Sequence, residues 1–300
     1  MWVGDRAYSD LMRELWGSPG LWNVRKTHAD VARKLGIDEE TVRNRIKYLK
    51  DSGFLLGWRL LPNPALLGRE SEFLFLELED QDSKEEVISK LRAMDGVVII
   101  TNIYGKSLLV SLIDDKENNS AKSIMRMGIK AQALSTPGMN LPTAIPFRIT
   151  VTDWQIIRLL LRDAEKEVRD LSEKVKLSRR TVNRRLNEMM NARAIFVMPC
   201  VNLKNAGGVP YHLMIQSEEE RKSKVDELVA SRIGNLVFRA SVAETGSIFG
   251  FTGANVADGN EVLKWVKKLP GVRTARLSIV EEVVHVFDWL DKEVAGRTTI

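Results

Sequence analysis

Apolar residues in the first fifty positions recur at helical spacing. Leu11, Leu15 and Trp16 fall on one face of the stretch Ser9 to Trp16, which predicts a first helix. Thr27-His28-Ala29-Asp30 resembles a capping box and opens a second helix, which Gly36 stops. Asp38 caps a third helix, with Val42, Ile46 and Leu49 turned inward and Gly53 at its end. Phe54 to Leu60 is apolar and aromatic, bounded by Gly53 and Pro62. It predicts two short strands, a wing, turning near Gly57. Three helices and a wing make a winged helix-turn-helix.

The pattern then changes period. Phe73 to Glu79 reads as a strand, and Ser83-Lys84-Glu85-Glu86 as a capping box opening a helix to about Ala93. Val97 to Ile103 and Ser107 to Ile113 are strands joined at Gly105. Glu117 to about Leu134 predicts a helix, and a last strand is expected within Leu141 to Ile149. This βαββαβ order is the ferredoxin-like motif.

The whole unit occurs twice. Leu35 to Ile46 aligns with Val175 to Leu186 at an offset of 140, pairing Thr41-Val42 with Thr181-Val182 and Arg45 with Arg185. In the second copy, helices are predicted to begin near Thr152, Val168 and Ser178, with a wing at Ala194 to Val201. Strands follow at Tyr211 to Gln216, Leu236 to Val242, Ser247 to Thr252 and Val272 to Val280. Helices open at a Ser217 to Glu220 capping box and at Asp258. The expected class is therefore α+β: helix-turn-helix domains at 1–66 and 150–205, alternating with ferredoxin-like domains at 67–149 and 206–300.

Charge sharpens this division. The chain of 300 residues carries a net charge of +5. Residues 1–66 hold 11 Lys/Arg against 8 Asp/Glu, and residues 150–205 hold 12 against 7. The positive excess thus lies on the helix-turn-helix segments, as expected where a domain meets phosphate. Arg43, Asn44, Arg45 and Lys47 are expected outward on the first recognition helix. Arg179, Arg180, Asn183, Arg184 and Arg185 are expected outward on the second. Arg and Asn can pair with guanine and adenine edges or hold phosphate. Arg45 and Arg185 fall in mid-helix, whereas Arg179 and Arg180 occupy the N-terminal turn that reaches base edges. Glu39 and Glu40 stand in the corresponding turn of the first helix, so the second module is expected to bind duplex DNA more strongly.

The run Val31 to Ile37, Thr41 to Leu49, Ser52 to Trp58, Pro62-Asn63-Pro64 and Leu67-Gly68 resembles the Lrp/AsnC transcription regulators. That resemblance implies a DNA-binding domain joined to an effector and oligomerisation domain that often senses amino acids. Family members usually carry one unit per chain and dimerise through the sheets. A chain with two is expected to form a homodimer or a pseudo-dimer within itself. The family's strand pair often follows its glycine with acidic residues near the small-molecule cleft. Here Gly105 and Gly246 are followed by none, which argues against an amino-acid ligand. These two glycines remain the effector-site candidates, with tight-turn roles as the alternative.

Competing chemistry finds little local support. Siroheme decarboxylases share this architecture, so a tetrapyrrole enzyme is an alternative, as is an interaction module that does not bind DNA. A decarboxylase would need His and Arg to converge on an acid-bearing substrate. His28 falls at a helix start, while His212 and His285 read as ordinary strand residues. The single cysteine, Cys200, excludes a disulfide within the chain and any multi-cysteine metal site. Neither a dinucleotide or phosphate-binding fingerprint nor a hydrolase elbow is present. The chain is accordingly expected to have no cofactor or metal and not to be an enzyme. No membrane span or signal-peptide core is visible, and a cytoplasmic setting is expected.

Overall fold

The fold, taken from a computed structural model, is described for residues 6–16, 28–114, 120–138, 146–234 and 236–298. The first module comprises α1 (Arg6–Trp16), α2 (His28–Leu35), α3 (Glu39–Asp51) and β1 (Leu55–Pro62). Its companion runs β2 (Glu70–Leu78), α4 (Lys84–Arg92), β3 (Val97–Ile103), β4 (Ser107–Asp114), α5 (Ser120–Arg126) and β5 (Ala131–Pro137). The second copy begins with α6 (Val151–Leu160), α7 (Val168–Val175), α8 (Arg179–Asn191) and β6 (Ile195–Val201). It continues as β7 (Val209–Ser217), α9 (Lys222–Arg232), β8 (Leu236–Val242), β9 (Gly246–Gly253), α10 (Val256–Val266) and β10 (Val272–His285), and closes with α11 (Asp288–Gly296). The class is α+β, as expected.

Local signals explain the helix starts. The Asp38 carboxylate accepts from the Thr41 amide at 2.6 Å, and the Ser178 hydroxyl accepts from the Thr181 amide at 3.2 Å. Gly36, at φ 65°, supplies the left-handed turn between α2 and α3. Val42 and Leu49 in α3, and Val182, Leu186 and Met189 in α8, are buried. Thr27 lies outside the described residues.

The wing differs from expectation. Phe54 to Leu60 does not fold back on itself. β1 pairs antiparallel with β6 of the other copy, Trp58 facing Pro199 and Pro62 facing Ile195. Every residue of β6 is buried, so an apolar strand too short for a hairpin finds its partner in the duplicate. Gly57, at φ 140°, lies where the register shifts and forms a bulge rather than a turn.

The two ferredoxin-like halves also join. One eight-stranded sheet runs β5-β2-β4-β3-β10-β7-β9-β8, with β3 paired to β10 at its centre. Alternation along β2 sends Leu74, Leu76 and Leu78 into the main core. Phe73 and Phe75 go to the opposite face, where Ala240, Val242 and Ile248 of the second half meet them. The sheet therefore curls so that its halves face each other. Crossing contacts lock the arrangement. Ser9 Oγ on α1 donates to the Leu236 carbonyl of β8 at 2.6 Å, and Trp289 Nε1 on α11 donates to the Val97 carbonyl of β3 at 2.6 Å.

Four further expectations are corrected. The predicted helix to Leu134 ends at Arg126, and residues 131–137 form edge strand β5 on β2. The strand expected within Leu141 to Ile149 is absent from its described residues, 146–149. Neither serine capping box forms. Ser83 Oγ donates to the Asp80 carbonyl, and Ser217 ends β7 five residues before α9. Finally, β10 runs past Val280 to His285, and that extension is what reaches β3.

Candidate nucleic-acid interface

The two recognition helices present different surfaces. On α8, Arg179, Arg180, Asn183 and Arg184 are exposed, and the helix carries four arginines against one glutamate. Arg184 pairs with Glu188 at 2.6 Å. Arg179 and Arg180 have no ion pair among the described residues. They stand at the positive end of the helix macrodipole, beside exposed amides that also attract phosphate. On α3, Arg43, Asn44 and Lys47 are exposed, but four cations share the helix with three acids. Glu39 holds Arg43 at 3.2 Å, and Asp51 lies 3.7 Å from Lys47.

Two expected contacts turn inward. Arg185 is only 16% exposed. Its Nε donates to the fully buried Asp153 at 2.7 Å, Nη2 also meets Asp153, and Nη1 donates to Glu188 at 2.7 Å. Its guanidinium also sits 5.0 Å over the Phe147 ring. These carboxylates raise its pKa further, so it remains a cation engaged inside the module. Arg185 therefore ties α8 to α6 rather than reaching phosphate. Arg45 is likewise half-buried and donates to the Ala7 carbonyl of α1 at 3.4 Å.

The two glycine candidates have different settings. Gly105, at φ 84°, makes the β3–β4 turn, and its carbonyl accepts from Lys84 Nζ at 2.5 Å. Gly246 is not the turn residue; it is buried at the start of β9, and Ala243 takes the left-handed conformation instead. A Cβ on Gly246 would meet the Val242 carbonyl oxygen at 2.6 Å, so close packing is what demands glycine there. Two residues read as ordinary did gain a setting. His212 on β7 and His285 on β10 line a cavity between the facing half-sheets. The available signal was an imidazole inside an apolar strand, Tyr211-His212-Leu213. Among the described residues, no group of three or more His, Cys, Asp or Glu is placed to hold a metal, and no helix is long and apolar enough to cross a membrane.

Residues 149–195, which take in α6, α7 and α8, match the winged helix-turn-helix DNA-binding family. The HTH-type transcriptional regulator Ptr1 of Methanocaldococcus jannaschii is 35% identical over 99 residues, covering 32% of this chain and 66% of Ptr1. The HTH-type transcriptional regulator LrpA of Pyrococcus horikoshii is 25% identical over 107 residues, covering 34% of this chain and 73% of LrpA. The chain thus spans just under two thirds of the first relative. Its sequence is thus similar to Lrp/AsnC-type helix-turn-helix regulators, and residues 149–195 match the DNA-binding helix-turn-helix family.

In its full architecture the chain is similar to the crystal structure of the siroheme decarboxylase NirDL. The TM-score is 0.61 with 13% identity, covering 96% of this chain and 97% of that one. The likeness is one of fold. It nevertheless overturns the expectation that the chain is not an enzyme, because the architecture shared end to end is that of an enzyme.

Proposed function

We propose that the chain is a sequence-specific, duplex-DNA-binding transcription regulator in which α8 grips more strongly than α3. The observation that carries this is the pair Arg179 and Arg180, exposed and without an ion pair among the described residues at the N-terminal turn of a recognition helix. The regulator relatives Ptr1 and LrpA support it. The two copies pair with each other through β1–β6 and β3–β10, so one chain supplies both modules. If both modules read DNA in the usual way, their half-sites lie about 34–36 Å apart. Because α3 and α8 differ, the site is an imperfect palindrome or a direct repeat.

The test is fluorescence anisotropy on duplexes selected from random DNA. The double change Arg179→Ala, Arg180→Ala should weaken specific binding at least about tenfold, since one good bidentate contact is worth roughly 1–3 kcal/mol. It should also flatten the log–log salt dependence by about 0.9 for each phosphate no longer neutralised. Unchanged affinity at physiological salt, or preference for RNA over duplex DNA in competition, refutes the reading.

A further inference from the structure

The eight-stranded sheet has an open edge at β5, which pairs with β2 alone. At the other end of the strand order, α1 packs on β8, and Ser9 holds the Leu236 carbonyl. Hydrogen bonds at the two ends of β5 fix which way its backbone points. The Gly138 amide donates to the Ser71 carbonyl at 2.8 Å, and the Glu79 amide donates to the Lys130 carbonyl at 3.1 Å. In an antiparallel ladder only alternate residues bond to a given neighbour. Residues 130, 132, 134, 136 and 138 therefore bond toward β2. Ala131, Ala133 and Ser135 turn their amides and carbonyls the other way, where no strand meets them among the described residues.

Exposed edges are commonly blunted by charge, by proline or by a bulge. Ala131 to Pro137 carries no charge, and its pairing with β2 runs without a register shift. Its one proline, Pro137, falls at the last position. β10 is the last strand of the second βαββαβ unit, as β5 is of the first. Over residues 272–278 it too has a strand on one side only, β7. There Arg273 and Arg276 are exposed and have no ion pair among the described residues. The edge in the second copy is guarded by charge, and the edge in the first is not. Apolar surface gathers at the unguarded one. Leu134 is 62% exposed, and Met125, on the helix α5 that packs against β5, is 58% exposed.

We infer that β5 is the interface to a second copy of this chain, the two strands pairing antiparallel about a two-fold axis at Ala133. In that register Ala133 faces the partner's Ala133, and Ala131 faces the partner's Ser135. Each outward amide of one strand then meets an outward carbonyl of the other. The pattern stops at Pro137, which lacks the amide that a further pair would need. Leu134 falls opposite the partner's Gln132 and is covered by the added strand. Lys130, the cation next to β5, falls opposite the partner's Thr136, so like charges do not meet. A second copy fits because this edge is complementary to itself and the contact closes after two chains. Seating β5 on another chain's β10 would instead meet Arg273 and Arg276. The pairing is separate from the β3–β10 seam within the chain and does not depend on the DNA reading.

Sedimentation equilibrium of the full chain between about 1 and 500 µM tests it. So short a strand pair buries less than the ~1,200 Å² typical of stable complexes, so the mass should rise from one chain to two with a Kd of roughly 10–100 µM. Ala133→Pro removes an outward amide that does not bond to β2, and Leu134→Lys sets two cations beside the axis. Each should weaken dimerisation at least about tenfold while circular dichroism stays that of the wild type. Leu134→Lys keeps the test decisive if Ala133→Pro unfolds the chain. Arg276→Ala, on the guarded edge, should leave the mass curve unchanged. In a Cys200→Ala background, an equal mixture of Gln132→Cys and Leu134→Cys chains should cross-link under mild oxidation faster than either alone. Directly facing residues bring their Cβ atoms about 4.5–5.5 Å apart. The inference is overturned by the mass of one chain throughout, or by a dimer that survives either β5 change in a folded chain. Assembly that grows past two chains or strengthens with Arg276→Ala, or a mixture that cross-links no faster, overturns it equally.

Discussion

Arg185 and the pair Arg179 and Arg180 occupy one helix and carry the same charge, yet Arg185 is held in a buried ion pair while Arg179 and Arg180 are exposed. Asp153, with no exposure, accepts from the Thr150 amide at 2.7 Å, the Thr150 hydroxyl at 2.7 Å and Arg185 Nε at 2.7 Å. Removing one partner of a buried ion pair typically costs about 3–5 kcal/mol, because a desolvated charge is left behind. Here the Thr150 donors remain, which places the loss near the lower end, about 3 kcal/mol. Arg185→Met keeps an apolar stem beside Phe147 and removes only the guanidinium. Urea denaturation followed by circular dichroism should show the second module destabilised by that amount. DNA affinity at low temperature, and its slope with salt, should stay at the wild-type value. Arg179→Ala with Arg180→Ala should do the reverse, leaving stability within about 0.5 kcal/mol as for ordinary surface changes. An Arg185→Met protein of wild-type stability whose DNA binding fell tenfold would refute the assignment.

Three other outcomes follow from single features. Glu39→Gln with Glu40→Gln removes two charges that repel phosphate and frees Arg43 from its 3.2 Å pair, so DNA affinity in anisotropy should rise roughly threefold or more; an unchanged affinity would mean that α3 does not meet DNA. Gly246→Ala places a methyl group 2.6 Å from the Val242 carbonyl and should lower stability by about 1–3 kcal/mol in urea melts. The acid limb of stability should steepen through His212. Its folded pKa, about 4, lies below the unfolded value, so the unfolded chain binds more protons between about pH 6.5 and pH 4. Stability therefore falls as pH drops through that window, by about 3 kcal/mol at most, and His212→Phe should flatten the decline.

What was legible in the sequence was local. Asp38 and Ser178 cap α3 and α8 from within four residues, and Gly36 closes a turn by its own conformation, so all three read directly. The serines at Ser83 and Ser217 carry the same local pattern, but tertiary placement overrides it: one hydroxyl turns back to Asp80 and the other residue completes a strand. Residues 131–134, Ala-Gln-Ala-Leu, favour helix by propensity, yet pairing with β2 makes them a strand. The exchange of β1 and β6 could not be read, since no local signal reports which of two apolar strands will be the partner. The inward turn of Arg185 was available in principle. It lies three residues after Val182 and four before Met189, on the flank of the buried stripe, and Arg45 stands the same way between Val42 and Leu49.

Duplication within one chain also explains why the halves need not remain alike. In a symmetric dimer any residue that improves one recognition helix or one wall of the cleft is placed twice. Here α8 carries Arg179 and Arg180 where α3 carries Glu39 and Glu40. Across the cleft, β7 presents His212 and Met214 where β2 presents Phe73 and Phe75. An imidazole facing a phenyl ring gives the cavity a polar side and an apolar side, which an identical pair of strands could not do. The β1–β6 and β3–β10 pairings retain the geometry of two matched copies, while the side chains they position have diverged. The polar cluster at His212 and the basic turn at Arg179 both fall in the second copy, joined by the buried strand β6.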